Sequence, residues 1–500
     1  MPCPPTGNLF GKRVIYAGHV AEPNSEGQAP NRCVFRPSGP QASPALPADK
    51  HLELILGAID AQITGDNSID AILETLDASR VQVYESLRDK LDPLAAKSVT
   101  IKILNLFLSK YHFLARSTIL LSSPFGIVVD PSNNCQLACP GCVHSVRSKQ
   151  LRIFDWPSGM LSESMFADFM RRHGPCAIQA SLYNYGEPLL NPNTPRLIRI
   201  AKTYLVRTTL STNMGVKHFD PERYVMSGLD FMVVCIDGVT QDSYKIFRQQ
   251  GQIEAVFNNV RNLIQTRTRL GKRTPVVRWQ YLAFEHNEQE IDDAIMMAQH
   301  LGFDQFALAT PFDVGWDHPN IRPSKVAPRV VSFSSDCGEA MIENWNPFPS
   351  EIEAGPIEHE FSIRWRDRYA SARPPRVTGN QASSRQHTCH HLYKNIVMDA
   401  KGRIMPCCGA PKPDAALIFG DSKSGTDHFN SESYRLARLS FASPEMYQIE
   451  LASTGRRPHC ATCEWDQDKA QIDKEQVCNY FDAIGNDVLN KASIAILSAW

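Results

Sequence analysis

Between about residues 125 and 311, short apolar or β-branched runs alternate with segments of helical period. The runs lie at 125–130, 177–183, 207–212, 230–236, 275–284 and 305–310. The helical patterns fall near 163–172, 194–204, 220–227, 252–270 and 287–302. Strand and helix in regular alternation predict a parallel sheet with right-handed crossovers. Six such units predict an α/β fold built on an open or partial (β/α)6 barrel rather than a closed eight-unit one. In such folds the chemistry sits beyond the carboxyl ends of the strands.

The flanks read differently. Residues 1–47 are rich in proline, with no sustained apolar period, and read as a loosely ordered leader. Residues 48–119 read as a helical domain, from Leu52, Leu54, Ile55 and Ile59, then Ile69, Ile72, Leu73 and Leu76, then Ile101, Leu104, Leu108 and Tyr111. Lys102, Lys110 and Arg116 on the last helix would suit a membrane surface, but a helix packed on the next domain gives the same pattern. Residues 312–385 read as a connecting region. Residues 386–500 read as a small module: a hairpin of Ile396–Asp399 and Arg403–Met405 turning at Lys401-Gly402, then a helix from Ser433 to about Leu451.

Charge changes the picture by what it excludes. Across 500 residues, 52 Lys plus Arg stand against 53 Asp plus Glu, so no strong field draws the chain to nucleic acid. A small-molecule or peptide substrate fits better. The start, Met1-Pro2-Cys3-Pro4-Pro5, has no basic segment followed by an apolar one, and no run reaches about 18 uninterrupted apolar residues. The expectation is a cytoplasmic protein without a transmembrane segment. There, 14 cysteines suggest metal ligation or buried thiols rather than disulfides.

The cysteines are grouped. Cys135, Cys139 and Cys142 form C-x3-C-x2-C directly after the first strand. Three thiolates on one loop can hold three corners of an iron–sulfur cube, leaving the fourth iron open for chemistry. Cys139-Pro140-Gly141-Cys142 alone also suits a redox dithiol, and Cys-Cys-Cys-His zinc with His144 is compatible with the spacing. A second group comprises Cys389, Cys407, Cys408, Cys460, Cys463 and Cys478. A four-cysteine zinc site is an alternative there. Taken together, these alternatives describe a zinc-stabilised interaction protein.

Read with its downstream neighbours, the cysteine loop resembles the signature of the radical S-adenosylmethionine superfamily. Cys135, Cys139 and Cys142 match it position for position, although Gly141 stands where the family usually has an aromatic residue. Tyr185-Gly186-Glu187-Pro188, after the second strand, resembles the family's Gly-Glu-Pro segment, which meets the cofactor's methionine amino group. Ser211 and Asn213 at the third strand's end, and Cys235 and Asp237 at the fourth's, fit its ribose- and carboxylate-facing positions, with Cys235 in place of the usual Ser. Tyr244 and Phe247 continue the pattern, Arg248 is the expected partner of the cofactor carboxylate, and Gln280 and Asn287 also fit. The C-terminal module resembles the auxiliary-cluster domains called SPASM or, when shortened, Twitch. That resemblance implies that Cys389, Cys407, Cys460 and Cys463 ligate one auxiliary [4Fe-4S] cluster. Cys408 is left as a stand-in for a neighbouring ligand, and Cys478 without a role.

The resemblance implies a [4Fe-4S] cluster on Cys135, Cys139 and Cys142 that binds S-adenosylmethionine. A low-potential donor such as ferredoxin or flavodoxin reduces it, S-adenosylmethionine is cleaved to a 5′-deoxyadenosyl radical, and that radical takes hydrogen from an unactivated substrate carbon. The expected outcome is a two-electron oxidation of a small polar or sugar-like substrate, the auxiliary cluster accepting an electron. Epimerisation, with Cys337 or Cys408 returning hydrogen, and peptide modification are the alternatives. Asp313, Asp317 and His318, just after the sixth strand, are candidate bases.

Overall fold

All six expected strands form, and a seventh joins them from the far end of the chain. The computed structural model describes residues 116–120, 122–146, 158–311, 321–333, 389–408, 415–424 and 427–463, with the further positions Lys102, Asn105, Ser109, His112, Phe113 and Gln150. The first six strands are β1 (Gly126–Val129), β2 (Gln179–Ser181), β3 (Arg207–Thr212), β4 (Phe231–Cys235), β5 (Val276–Leu282) and β6 (Gln305–Ala309). Then come β7 (Arg329–Ser332), β8 (Asn395–Met398), β9 (Arg403–Met405) and β10 (Gly420–Asp421). They make one open sheet in the order β10-β9-β8-β1-β2-β3-β4-β5-β6-β7. Strands β8 and β1 to β6 run parallel; β7, β9 and β10 pair antiparallel at the edges.

The crossovers are made by α1 (Glu163–His173), α2 (Thr194–Lys202), α3 (Pro221–Val225), α4 (Gln241–Phe247), α5 (Ile253–Arg269) and α6 (Ile291–Leu301), five of them where the periodicity predicts and α4 where it predicts none. Their starts are written locally. Ser162 caps α1, Asp220 followed by Pro221 caps α3, and Thr240 with Ser243 makes a reciprocal capping box on α4. Gly302, in the left-handed region at φ 83°, closes α6.

The two faces of the sheet differ. One packs on the helices through Ile127, Val129, Leu210, Met232, Val234, Trp279, Tyr281 and Phe306 in a single core. At its centre Trp279, fully buried, donates its indole N–H to the Ile236 carbonyl at 2.8 Å and contacts Phe257, Phe303 and Phe306. The alternate positions make the opposite face. It is apolar at Val128, Val397 and Met405 and at Phe231, Val233 and Val276. It becomes polar at Arg207, Thr209, Ser211, Arg278 and Gln280, which are only partly buried.

The hairpin expected as a separate module is continuous with this sheet. Val128 pairs with Val397 and Ile127 with Ile396, and the Phe125 and Asp130 amides donate to the Lys394 and Met398 carbonyls at 3.0 Å each. Beyond the hairpin, the expected single helix is two: α8 (Glu432–Ala442) and α9 (Pro444–Thr454), following the short α7 (His391–Lys394). Pro444 cannot continue the hydrogen-bonding of α8, so it starts α9. Lys102 is buried, its ammonium bonded to the Gly174 and Ala177 carbonyls, and Ser109 Oγ donates to the Tyr393 carbonyl at 2.6 Å. This segment therefore packs on the sheet domain, as one of the two readings anticipated. No described helix is long and apolar enough to cross a membrane.

Candidate functional site

The loop after β1 is knotted to the ends of its neighbours. Asp130, buried where β1 ends, accepts the Tyr185 and Gly186 amides on separate carboxylate oxygens at 3.3 and 3.2 Å. The Glu187 amide donates to the Asn134 carbonyl at 2.7 Å and the Ala138 amide to the Gln249 carbonyl at 3.1 Å. Gly186 must be glycine, because a Cβ there would lie 1.7 Å from the Ser132 carbonyl oxygen. Gly141 sits at φ 74°. The aromatic residue usual at this point of the resembled signature would be strained in that conformation, and glycine is not.

Cys139 and Cys142 are buried, each 5% exposed, and Cys135 is partly buried. Burial first, then the neighbouring Cys139 and Cys142 sulfurs, pushes the Cys135 thiol up to about 12. The three thiols thus lie within electrostatic reach of one another. Hydrogen-bond donors face them. Asn213 Nδ2 reaches Cys135 Sγ at 3.7 Å, and Arg248 Nη1 reaches Cys139 Sγ at 3.9 Å. Gln136 Nε2 steadies Asn213 at 2.8 Å. Met214, a non-glycine residue at φ 57°, makes the turn that carries Asn213 back toward the loop, a costly conformation of the kind retained at functional sites.

The carboxylates of the motifs turn out to be wired to the protein. Glu187 is buried, and its two oxygens accept Thr212 Oγ1 at 2.6 Å, the Asn213 amide at 2.8 Å and the Leu189 amide at 3.0 Å. Burial raises its pKa and these bonds oppose the rise. Of about four lone-pair positions on a carboxylate, three are used. Asp237, also buried, accepts Arg248 Nε at 2.5 Å and the Leu282 amide at 2.7 Å. Arg248, expected to meet a cofactor carboxylate, is therefore paired within the protein and turned toward Cys139. Asn287 donates to the Asp237 and Leu282 carbonyls and shapes the turn after β5. His144, the fourth ligand of the zinc alternative, has Nε2 on the Tyr185 carbonyl at 3.0 Å.

Ser211, Cys235 and Gln280 share the polar face. Ser211 Oγ is 3.4 Å and Gln280 Nε2 3.9 Å from Cys235 Sγ. Tyr183, buried beside them with its hydroxyl bonded to Ser181, carried no sequence signal. Pro188 opens the short helical turn Pro188–Leu190 that follows the Glu187 cap.

The second cysteine group comes from three places in the chain. Cys389 precedes α7, Cys407 follows β9, Cys460 lies within the turn His459–Thr462 and Cys463 closes it. Tyr434 on α8 lies among them. Its hydroxyl donates to the Met405 carbonyl at 3.0 Å, and burial followed by Cys460 and Cys407 raises its pKa. Cys408 is disulfide-bonded. That corrects the expectation that disulfides are absent and takes its thiol out of the candidate ligands and hydrogen donors. Among the described residues no three His, Cys, Asp or Glu side chains converge as they would on a single ion. Asp313, Asp317, His318, Cys337 and Cys478 lie outside the described residues.

No protein-family model matches the chain, and no curated protein does. It is similar to the solved structure of SuiB of Streptococcus suis bound to S-adenosylmethionine, with 13% identity over 68% of this chain and 70% of that one and a TM-score of 0.37. It is similar to native anSMEcpe with bound AdoMet, with 12% identity over 62% and 82% and a TM-score of 0.38. It is similar to BtrN in complex with AdoMet and 2-DOIA, with 11% identity over 69% and 96% and a TM-score of 0.31. Likenesses of this size do not carry a ligand or a reaction over to this chain.

Proposed function

We propose that the chain is a radical S-adenosylmethionine enzyme that oxidises a small polar or sugar-like substrate with the help of one auxiliary [4Fe-4S] centre. One observation carries the reading. The C-x3-C-x2-C loop follows the first of six parallel strands in chain order, its thiols lie within reach of one another, and the three motifs that accompany it stand at or just beyond the ends of β2, β3 and β4.

The donor set suits an iron–sulfur centre. Three thiols from one loop would hold it, the Asn213 amide and Arg248 guanidinium face two of the sulfurs, and hydrogen bonds to sulfur together with burial set such a centre's potential. Bound there with S-adenosylmethionine, the group supplies reductive cleavage and a radical able to take hydrogen from unactivated carbon. Glu187 keeps one acceptor position and holds the end of β3 in place. Ser211, Cys235 and Gln280 present hydroxyl, thiol and amide along the polar face, where a polar substrate or the cofactor's ribose would lie. Cys389, Cys407, Cys460 and Cys463 would hold the auxiliary centre, with a ferredoxin or flavodoxin as electron source.

Anaerobic reconstitution with iron and sulfide, followed by an iron count and an assay for 5′-deoxyadenosine, tests this reading. About eight irons per chain and release of 5′-deoxyadenosine under strong reductant are expected. A colourless zinc protein that releases none would end the enzyme reading.

A further inference from the structure

Tyr185 stands between the two cysteine groups. Its ring, 2% exposed, packs in a small cluster with Cys139 and Cys142 of the first loop and with Leu137, Phe247 and Phe284. Its hydroxyl points the other way and donates to the carbonyl of Cys408 at 2.7 Å, joining positions 223 residues apart in sequence. Cys407, beside Cys408, lies close enough to add to the upward push that burial gives the phenol.

The backbone at Tyr185 is held on every side. Its amide and the next donate to Asp130, and its carbonyl meets His144 Nε2 two residues beyond Cys142. The close approach at Gly186 fixes the chain against Ser132. These contacts fix the point from which the side chain leaves the backbone, and its packing and hydroxyl bond then fix the ring. Lys202 and Asp230, also buried and paired at 2.7 Å, make a useful contrast: Asp230 accepts from the amide and hydroxyl of Thr208 near the start of β3, so this pair ties α2 to the sheet.

We propose that Tyr185 is the positioning residue that couples the two centres, its ring seating the first thiol loop and its hydroxyl fixing the peptide at Cys408. The pairing of β1 with β8 sets the gross spacing of the two groups, and Tyr185 fixes the finer placement of the first thiol loop against the peptide at Cys408. This rests on the two-centre reading above. Magnetic interaction between two reduced centres falls steeply with their separation, so it reports that spacing directly and independently of turnover.

Wild type, Tyr185→Phe and Tyr185→Leu are reconstituted anaerobically, their iron is counted, both centres are reduced with dithionite, and electron-spin relaxation of the first centre is measured. Wild type is expected to hold about eight irons and to show relaxation enhanced by the second centre. Tyr185→Phe should retain the iron and lose part of that enhancement, and Tyr185→Leu should lose more of it. Tyr185→Leu with full iron and wild-type relaxation overturns the proposal. Should that variant fail to load, Tyr185→Phe decides, and relaxation equal to wild type overturns the hydroxyl's role. About four irons in wild type would instead overturn the two-centre reading, and this inference with it.

Discussion

The two cysteine groups are built on opposite plans. The first lies within eight residues, Cys135 to Cys142, on a loop tied by backbone bonds to the next strand ends. The second is spread over segments around residues 389, 407 and 460, and Tyr434 feels both Cys407 and Cys460 across them. A buried arginine holds the packing there. Arg438 is fully buried over the rings of Tyr393, Phe429 and Tyr434, and donates to the Leu392 carbonyl at 3.0 Å and the Thr118 carbonyl at 3.3 Å. A ligand set carried by one loop survives distant damage; one spread over several segments fails with their packing. That difference can be measured.

The largest expected effect is on the first group. Replacing Cys135, Cys139 and Cys142 together by Ala should abolish 5′-deoxyadenosine release and bring iron from about eight to about four per chain, since the other four thiols are untouched. Loss of all iron in that variant would mean that the two groups do not load independently.

Next comes the second group's frame. Arg438→Met removes a buried cation from three aromatic rings and leaves carbonyls unsatisfied, and is expected to cost about 3 kcal/mol in chemical denaturation. Iron at the C-terminal group should fall while the first group's spectrum persists. A uniform loss at both groups would erase the contrast.

A smaller effect is expected at Asn213. Asn213→Ala deletes the donor to Cys135 Sγ and the Gln136 contact, shifting the balance between reduced and oxidised first centre by about 1 kcal/mol, about a fivefold change in their ratio at fixed potential. Redox titration of the two centres checks it, and the second centre should not move.

An effect of another kind is expected on the pH dependence of stability. Burial pushes the Asp130 carboxyl up to about 7, from about 3.9 in an unfolded chain. The folded state therefore favours its protonated form. The stabilisation is full below about pH 4 and is lost as pH rises toward 7. Asp130→Asn should lack that slope, which denaturant midpoints for both proteins across pH 4–8 would reveal.

What the sequence made legible follows the same division. Strands β1 to β6 and five of the crossover helices were readable because each has its own period, whereas α4 was not read despite the capping box of Thr240 and Ser243. The three-cysteine loop was readable because its spacing is contiguous. Partnerships at long range were not. Asp237 and Arg248 each stood out alone, yet nothing local says that they pair with one another at 2.5 Å. Glu187 suited an ammonium, but its hydrogen bonds to backbone amides leave no trace in residue identity. Asp130 and Tyr434 had no signal at all, since a buried carboxylate or phenol is recognised only from what surrounds it. The break at Pro444 was visible in principle, because proline cannot extend a helix.

The parallel pairing of β8 with β1 also bears on how this chain tolerates being cut. A protein ended before Cys389 would do more than lose an appendage. It would bare the amides and carbonyls along β1, a few residues from the thiol loop, as an unpaired edge. Such edges seek other strands, so the shortened protein should aggregate. Its loss of activity would then say nothing about whether the missing iron takes part in the reaction.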